Sequence, residues 1–275
     1  MVSERGVVDP VLLSAVDEIL RRHPGEPLAL RARRVLDGPT RVAVRGRRGT
    51  GRDTLARALR DRLGVDPIVP GDDLDDADAW CHAIVGWPRS EDVEALRRLP
   101  ADRTVVVLTK SDALGDPELA ADRARECAAV LGMPVHPVSA VLGCVNLSAD
   151  EVAFLHAMVD ADEPVPSMAA AFVSGDADER RLRTGLLRRL DQYGLLVAVD
   201  EIAIAREEGR RIDADDLHRL LIAESGFAAL RLVLDAMDAA VDAHRRDVVI
   251  GLLDRLAATG VDRDPIEAML AQVGR

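Results

Sequence analysis

Arg41-Val42-Ala43-Val44-Arg45-Gly46-Arg47-Arg48-Gly49-Thr50-Gly51-Arg52-Asp53-Thr54-Leu55 is the stretch on which the reading of the whole chain turns. A β-branched run ends in glycine, a short glycine-rich loop follows, and Leu55-Ala56-Arg57-Ala58-Leu59-Arg60-Asp61-Arg62-Leu63 has the composition of a helix. In a strand–loop–helix unit the glycines let backbone N–H groups turn inward, and the helix N-terminus adds partial positive charge aimed at an anion. Gly46 and Gly51 have the spacing of the phosphate-loop pattern G-x-x-x-x-G-K-[ST], but Arg52 stands at the Lys position and Asp53 at the Ser/Thr position. The candidate phosphate-binding residues are therefore Gly46, Gly49, Gly51, Arg52, Asp53 and Thr54.

A second stretch adds to the first. Thr104-Val105-Val106-Val107-Leu108 is a buried-strand run that empties into Thr109-Lys110-Ser111-Asp112. These four residues resemble the [NT]-K-x-D guanine-specificity motif of the GTPase superfamily. A carboxylate at Asp112 can accept two hydrogen bonds from the N1–H and N2 amino edge of guanine; adenine would leave it unpaired, and sites of that kind discriminate strongly. The stem of Lys110 can lie along the base plane. Lys110 is also the one lysine in a chain with 36 Lys plus Arg, which marks it as a place where arginine does not serve. Met133 to Ala140 resembles the last strand and the Ser-Ala loop of such a domain, which places Ser139 and Ala140 at the guanine carbonyl. The resemblance spans residues 38–160.

Around these motifs strands alternate with helices: strand 41–45, helix 53–63, strand 80–86, helix 90–99, strand 104–108, helix 116–131, strand 134–138 and helix 149–159. That alternation implies a parallel sheet with crossover helices. Gly46, Lys110, Asp112 and Ser139 all fall at carboxyl ends of strands, where open parallel sheets bind ligands. Between Leu63 and Trp80 lie 16 residues, six of them Asp. An ordinary G domain places a switch, two paired strands and the D-x-x-G magnesium loop here, and 16 residues are too few for two strands plus loops. Pro70-Gly71-Asp72 is the candidate remnant of that loop, and 64–90 contains no D-x-x-G. The expectation is a shortened sheet of about four parallel strands.

Net charge is −12, against a nucleic-acid partner, which requires a basic face. The charge is uneven. Five Arg and no acid lie in 41–52, whereas 61–78 has seven Asp and one Arg, read as a solvated loop or a screen over the phosphate loop. The acidic run 72–78 does not match a calcium loop. Arg47 and Arg48 are candidate fingers in cis, or else a solvated charge run. Cys81, Cys127 and Cys144 lack metal-ligand spacing and are read as reduced thiols of a cytoplasmic chain. No run approaches the ~18 apolar residues of a membrane span.

Helices are expected at 9–22 and 26–36, ahead of the sheet, and at about 178–209, 213–224, 226–258 and 264–273, beyond a linker at Pro164-Val165-Pro166. One apolar stripe is Leu182, Leu186, Leu190, Tyr193, Leu196 and Val197, a second is Leu230, Val233, Leu234, Met237 and Val241, and Arg180, Arg181, Arg183, Arg188 and Arg189 read as a solvated face. This tail, with Leu190-Asp191-Gln192-Tyr193-Gly194 and Ser225-Gly226-Phe227, resembles the helical region after the G domain of actinobacterial dynamin-like GTPases, in the translation-factor-related class. The resemblance implies three parts: helices in 1–38, a P-loop GTPase-like α/β domain in 39–162, and an α-helical domain in 163–275 that forms one bundle with the N-terminal helices.

The chemistry implied is binding of GDP or GTP, with weak or no hydrolysis. Asp53 replaces the hydroxyl that ligates Mg²⁺, so Asp53 and Thr54 are the metal candidates. The alternative is a pseudo-GTPase interaction module that pairs with an active dynamin-like partner without binding nucleotide.

Overall fold

The computed structural model describes residues 9–69 and 76–273. Two helices, α1 (Pro10–Arg22) and α2 (Pro27–Asp37), precede the sheet. Asp9 caps the first, its Oδ1 accepting from the Val11 and Leu12 amides at 3.0 and 3.3 Å, and Pro10 occupies the first turn, where no amide is needed.

The core is a parallel sheet of β1 (Arg41–Gly46), β2 (Asp66–Ile68), β3 (Ala79–Ile84), β4 (Thr104–Thr109) and β5 (Val135–Val138), in the order β2-β1-β3-β4-β5. Five strands stand where about four were expected. The additional one, Asp66-Pro67-Ile68, pairs in parallel with Arg41 to Ala43. It escapes a sequence reading because it is three residues long and contains proline, which a sheet accepts on an edge strand. The candidate loop remnant Pro70-Gly71-Asp72 lies outside the described residues.

Side-chain alternation divides the sheet into two buried faces. Val42, Val44, Ala79, Cys81, Ala83, Val105, Val107 and Val138 face α3 (Arg52–Leu63), together with Phe227, Leu230 and Val241 from the C-terminal third. Ile84, Val106, Leu108 and Val135 face α5 (Pro117–Leu131), through Ala124 and Cys127, and Leu96 of α4 (Ser90–Leu96). Both faces are covered, so the strands read as continuous apolar runs.

After β5 come α6 (Ala140–Gly143), α7 (Ala149–Asp160), α8 (Ala169–Phe172), α9 (Ala177–Glu207), α10 (Ala214–Ala223), α11 (Phe227–Asp235), α12 (Asp238–Ala258) and α13 (Arg263–Val273). The helix expected over 226–258 is two helices, broken at Ala236 and Met237. The helices beyond residue 163 divide among three cores. Those of α8 to α10 pack with α6 and α7 through Leu142, Val152, Leu155, Phe172, Leu186, Leu190, Leu195, Ile202 and Leu217. Helix α11 and the start of α12 lie on the sheet. The far end of α12 (Val249, Leu252, Leu253, Leu256) and Ile266 of α13 bury Leu12, Val16, Ile19, Ala29, Ala32 and Leu36 of α1 and α2.

The first stripe changes register inside α9. Leu186 and Leu190 are buried, then Leu195 replaces Leu196, because the backbone breaks at Asp191. Arg183 is not on a solvated face. It is 4% exposed, stacks on the Phe154 and Phe172 rings, and pairs with Glu163 at 2.7 Å and Glu179 at 2.6 Å.

Candidate functional site

The order β2-β1-β3-β4-β5 reverses direction beside β1: the chain leaves β1 for β2 on one side, then crosses to β3 on the other. The crevice at the carboxyl end of β1 and β3 is therefore a topological switch point, the place where open α/β sheets take ligands. The Gly46–Thr54 loop occupies it. A Cβ on Gly46 would overlap the Ala83 carbonyl oxygen of the neighbouring strand, so only glycine fits. Gly49 and Gly51 have φ of 88° and 79°, where a side chain is strained. Gly51 is the N-cap of α3 and supplies no capping side chain, which leaves the first amides of a 12-residue helix for another acceptor. Asp53 is exposed on that first turn and Thr54 half-buried; Cys144 reaches back to bond the Thr54 carbonyl at 3.5 Å.

The two motifs meet physically. Thr50 is buried, and its carbonyl accepts the Thr109 hydroxyl at 2.7 Å, while the same hydroxyl lies 3.0 Å from the Ile84 carbonyl. Thr109, expected at the base, thus ties the loop to β3 and β4. Lys110 has φ 57°, and its Cε lies 4.0 Å from the Cβ position of Gly51, so its stem runs along the Gly46–Thr54 loop.

Arg47 is not a free finger. Its Nε donates to both oxygens of Asp92, at 3.2 and 3.0 Å. Asp92 is fully buried, accepts the Arg89 amide at 2.8 Å at the start of α4, and sits 3.2 Å from Nε2 of His82 on β3. Burial works to raise the Asp92 carboxyl, but the Arg89 amide, His82 and Arg47 outweigh it and hold it below the usual carboxylate value. Burial pushes His82 down despite Asp92, leaving it neutral. The cluster was illegible in the sequence, since Arg47 and Asp92 are 45 residues apart. Arg48 stands exposed.

The described part of the acidic segment does not screen this loop, and Asp72, Asp73 and Asp75 lie outside the described residues. Its described members lie at the opposite end of β1: Asp76 pairs with Arg31 and Arg41, and Asp78 with Arg245 at 2.7 Å and the Arg41 amide at 2.7 Å.

Past Lys110, Asp112 is 7% exposed, and its Oδ1 has no hydrogen-bond partner among the described residues. Burial pushes its carboxyl up, the Ser139 hydroxyl opposes this, and the Asp191 carboxyl raises it further. Ser139 is buried, accepts the Leu142 amide at 3.3 Å as cap of α6, and donates its own amide to the Ser225 carbonyl at 2.9 Å. Ala140, the first residue of α6, is buried beside it. Asp191 and Ser225 were not anticipated at this end. Neither a cavity of about 710 Å³ walled by Arg57, Arg62, Asn146 and His218 nor one of about 330 Å³ walled by Arg34, Asp66 and His244 is lined by the loop or by Asp112.

The three cysteines are free, and burial raises Cys81 to about 12. Among the described residues no three His, Cys, Asp or Glu side chains group as a metal set, and no helix is long and apolar enough to cross a membrane. No protein-family model and no curated protein sequence matches the chain.

Proposed function

We propose that the protein binds a guanine nucleotide, GDP at least as well as GTP, and that alone it hydrolyses GTP slowly or not at all. The observation that carries this reading is the junction of the two motifs. Thr109 holds the Thr50 carbonyl and Lys110 lies along Gly51, so one crevice presents uncapped helix amides at one end and a buried carboxylate with an unpartnered oxygen at the other. Phosphates suit the first and the two-donor edge of guanine suits the second. Arg52 supplies charge beside the phosphates as a larger planar cation in place of Lys.

Weak turnover follows from what accompanies the crevice. Asp53 and Thr54 bring one carboxylate and one hydroxyl to the first turn of α3, a partial set for Mg²⁺, which would neutralise phosphate charge if held there. Arg47 is tied to Asp92 and is not directed at a γ-phosphate. Position-sensing of that phosphate has no residue behind it among those described.

A second reading, an interaction module that pairs with a related GTPase without nucleotide, draws on α9, which packs against the 111–114 turn that carries Asp112. Titration of the purified protein with fluorescent GDP, GTP and ATP, with and without Mg²⁺, separates the two. Guanine-selective saturation supports the first reading; no binding of any nucleotide supports the second.

A further inference from the structure

The cavity of about 710 Å³ lies between three elements far apart in sequence: α3, the segment that follows α6, and α10. Arg57 and Asp61 stand four residues apart on α3, and Asp215, His218 and Arg219 three or four apart on α10, so each helix turns one polar face to the same space. Two of the donors are fixed by the fold. Arg62 donates through Nε to the Gly143 carbonyl at 2.6 Å, which holds its guanidinium at the wall and leaves most of its five N–H groups over. The Leu147 amide donates to Nε2 of His218 at 2.6 Å, so the ring proton sits on Nδ1, where it is a further donor. Arg219 spends one Nη on Asp216, and Arg57 forms no ion pair among the described residues. Donors therefore approach from α3 on one side and α10 on the other, with the Asn146 amide between them. A carboxylate is planar, and one guanidinium held edge-on satisfies it. A phosphate spreads its oxygens around a tetrahedral centre and takes donors from several sides. Asp61 and Asp215, in the same wall, would repel a bare polyanion but accept hydrogen bonds from hydroxyl groups.

We propose that this cavity is a second ligand site, which binds a phosphorylated small molecule bearing hydroxyl groups, of the sugar-phosphate class. Arg57, Arg62 and Arg219 with the His218 N–H hold the phosphate, and Asp61 and Asp215 take the hydroxyls. The volume lies within the range that small-molecule ligands occupy. The site is independent of the guanine-binding reading, since neither the Gly46–Thr54 loop nor Asp112 lines it.

The cavity carries its own reporter. Cys144 stands half-buried in its wall, while Cys81 and Cys127 are buried, so iodoacetamide labelling of Cys144 measures how open the cavity is. The full chain is labelled alone and with ribose phosphate, ribose or inorganic phosphate, in the unaltered form, as Arg52→Ala, and as the double variant Arg57→Ala/Arg219→Ala. Arg57 and Arg219 are exposed, so their loss leaves the core intact, and the rates are compared as ratios within each protein. Saturating ribose phosphate should slow labelling of the unaltered protein about tenfold or more, ribose should not slow it, and inorganic phosphate at the same concentration should slow it less. The double variant should lose the protection. Because the Cys144 thiol also bonds the Thr54 carbonyl beside the nucleotide crevice, Arg52→Ala locates the ligand: protection should persist there. Absence of protection at millimolar ribose phosphate would overturn the proposal. So would protection that survives in the double variant but disappears in Arg52→Ala, which places the phosphate in the nucleotide crevice. Equal protection by inorganic phosphate would overturn its sugar half.

Discussion

Replacing Asp92 by asparagine probes the joint that fixes the Gly46–Thr54 loop to the rest of the fold. The carboxylate is fully buried and takes hydrogen bonds from Arg47 and the Arg89 amide, with His82 at 3.2 Å. Asparagine keeps the shape and one acceptor but removes the charge. Breaking a buried pair from one side costs about 3–5 kcal/mol when the remaining charge is fully trapped. The Arg47 side chain is 18% exposed and can turn outward, so the expected loss is nearer 2–3 kcal/mol, about one charge-assisted hydrogen bond's net worth. For a chain of this size that is a fall in melting temperature of about 5–10 °C. The sign of the pH effect follows from the shifts. Both Asp92 and His82 have folded-state pKa values below their ordinary 3.8 and 6.5. The unfolded chain therefore binds more protons in each window, and their stabilisation is present at neutral pH and lost as pH falls. Urea unfolding at pH 7.5, 4.5 and about 3, with and without Asp92→Asn, measures both effects: the first step crosses the ordinary histidine value and the second the ordinary carboxylate value. A loss under about 0.5 kcal/mol, the scale of an ordinary surface change, would refute the claim that this cluster anchors the loop.

Three further outcomes are expected. Gly46→Ala, whose Cβ would overlap the Ala83 carbonyl, should lower stability by about 1–3 kcal/mol and cost more than Gly49→Ala, which meets open space; thermal melts of the two rank them. Thr109→Val removes the hydroxyl shared by the Thr50 and Ile84 carbonyls and should cost about 1–3 kcal/mol, since it leaves buried acceptors unpaired, with GDP affinity falling as well. Arg183→Ala, which leaves the partly exposed Glu163 and Glu179 unpaired and unstacks two phenylalanine rings, should cost about 2–3 kcal/mol in urea unfolding.

The elements that position the site were legible where the signal was local. The Val42–Val44 and Val105–Val107 runs bury both faces and could be little other than interior strands, and the glycine spacing after β1 announced its loop. A three-residue edge strand containing Pro67 carries no such pattern. What stayed hidden depends on residues distant in sequence. Arg47 looks like part of a solvated run until Asp92 and His82 arrive from α4 and β3. Arg183 looks exposed until Glu163 and Phe172 fold over it. The break at Asp191 leaves no mark, because aspartate is not a helix breaker and apolar residues continue on both sides; only the packing of Leu190, Gln192 and Gly194 imposes it.

The claim that Asp112 reads a guanine edge is tested most directly by Asp112→Asn, with xanthosine and guanosine diphosphates competing for the site. Asparagine turns one acceptor into a donor, and xanthine presents a carbonyl where guanine has its amino group. The account predicts that the unaltered protein prefers GDP and that the variant reverses the order in favour of xanthosine diphosphate. Unchanged GDP preference in the variant, or equal competition by ADP in the unaltered protein, would contradict it.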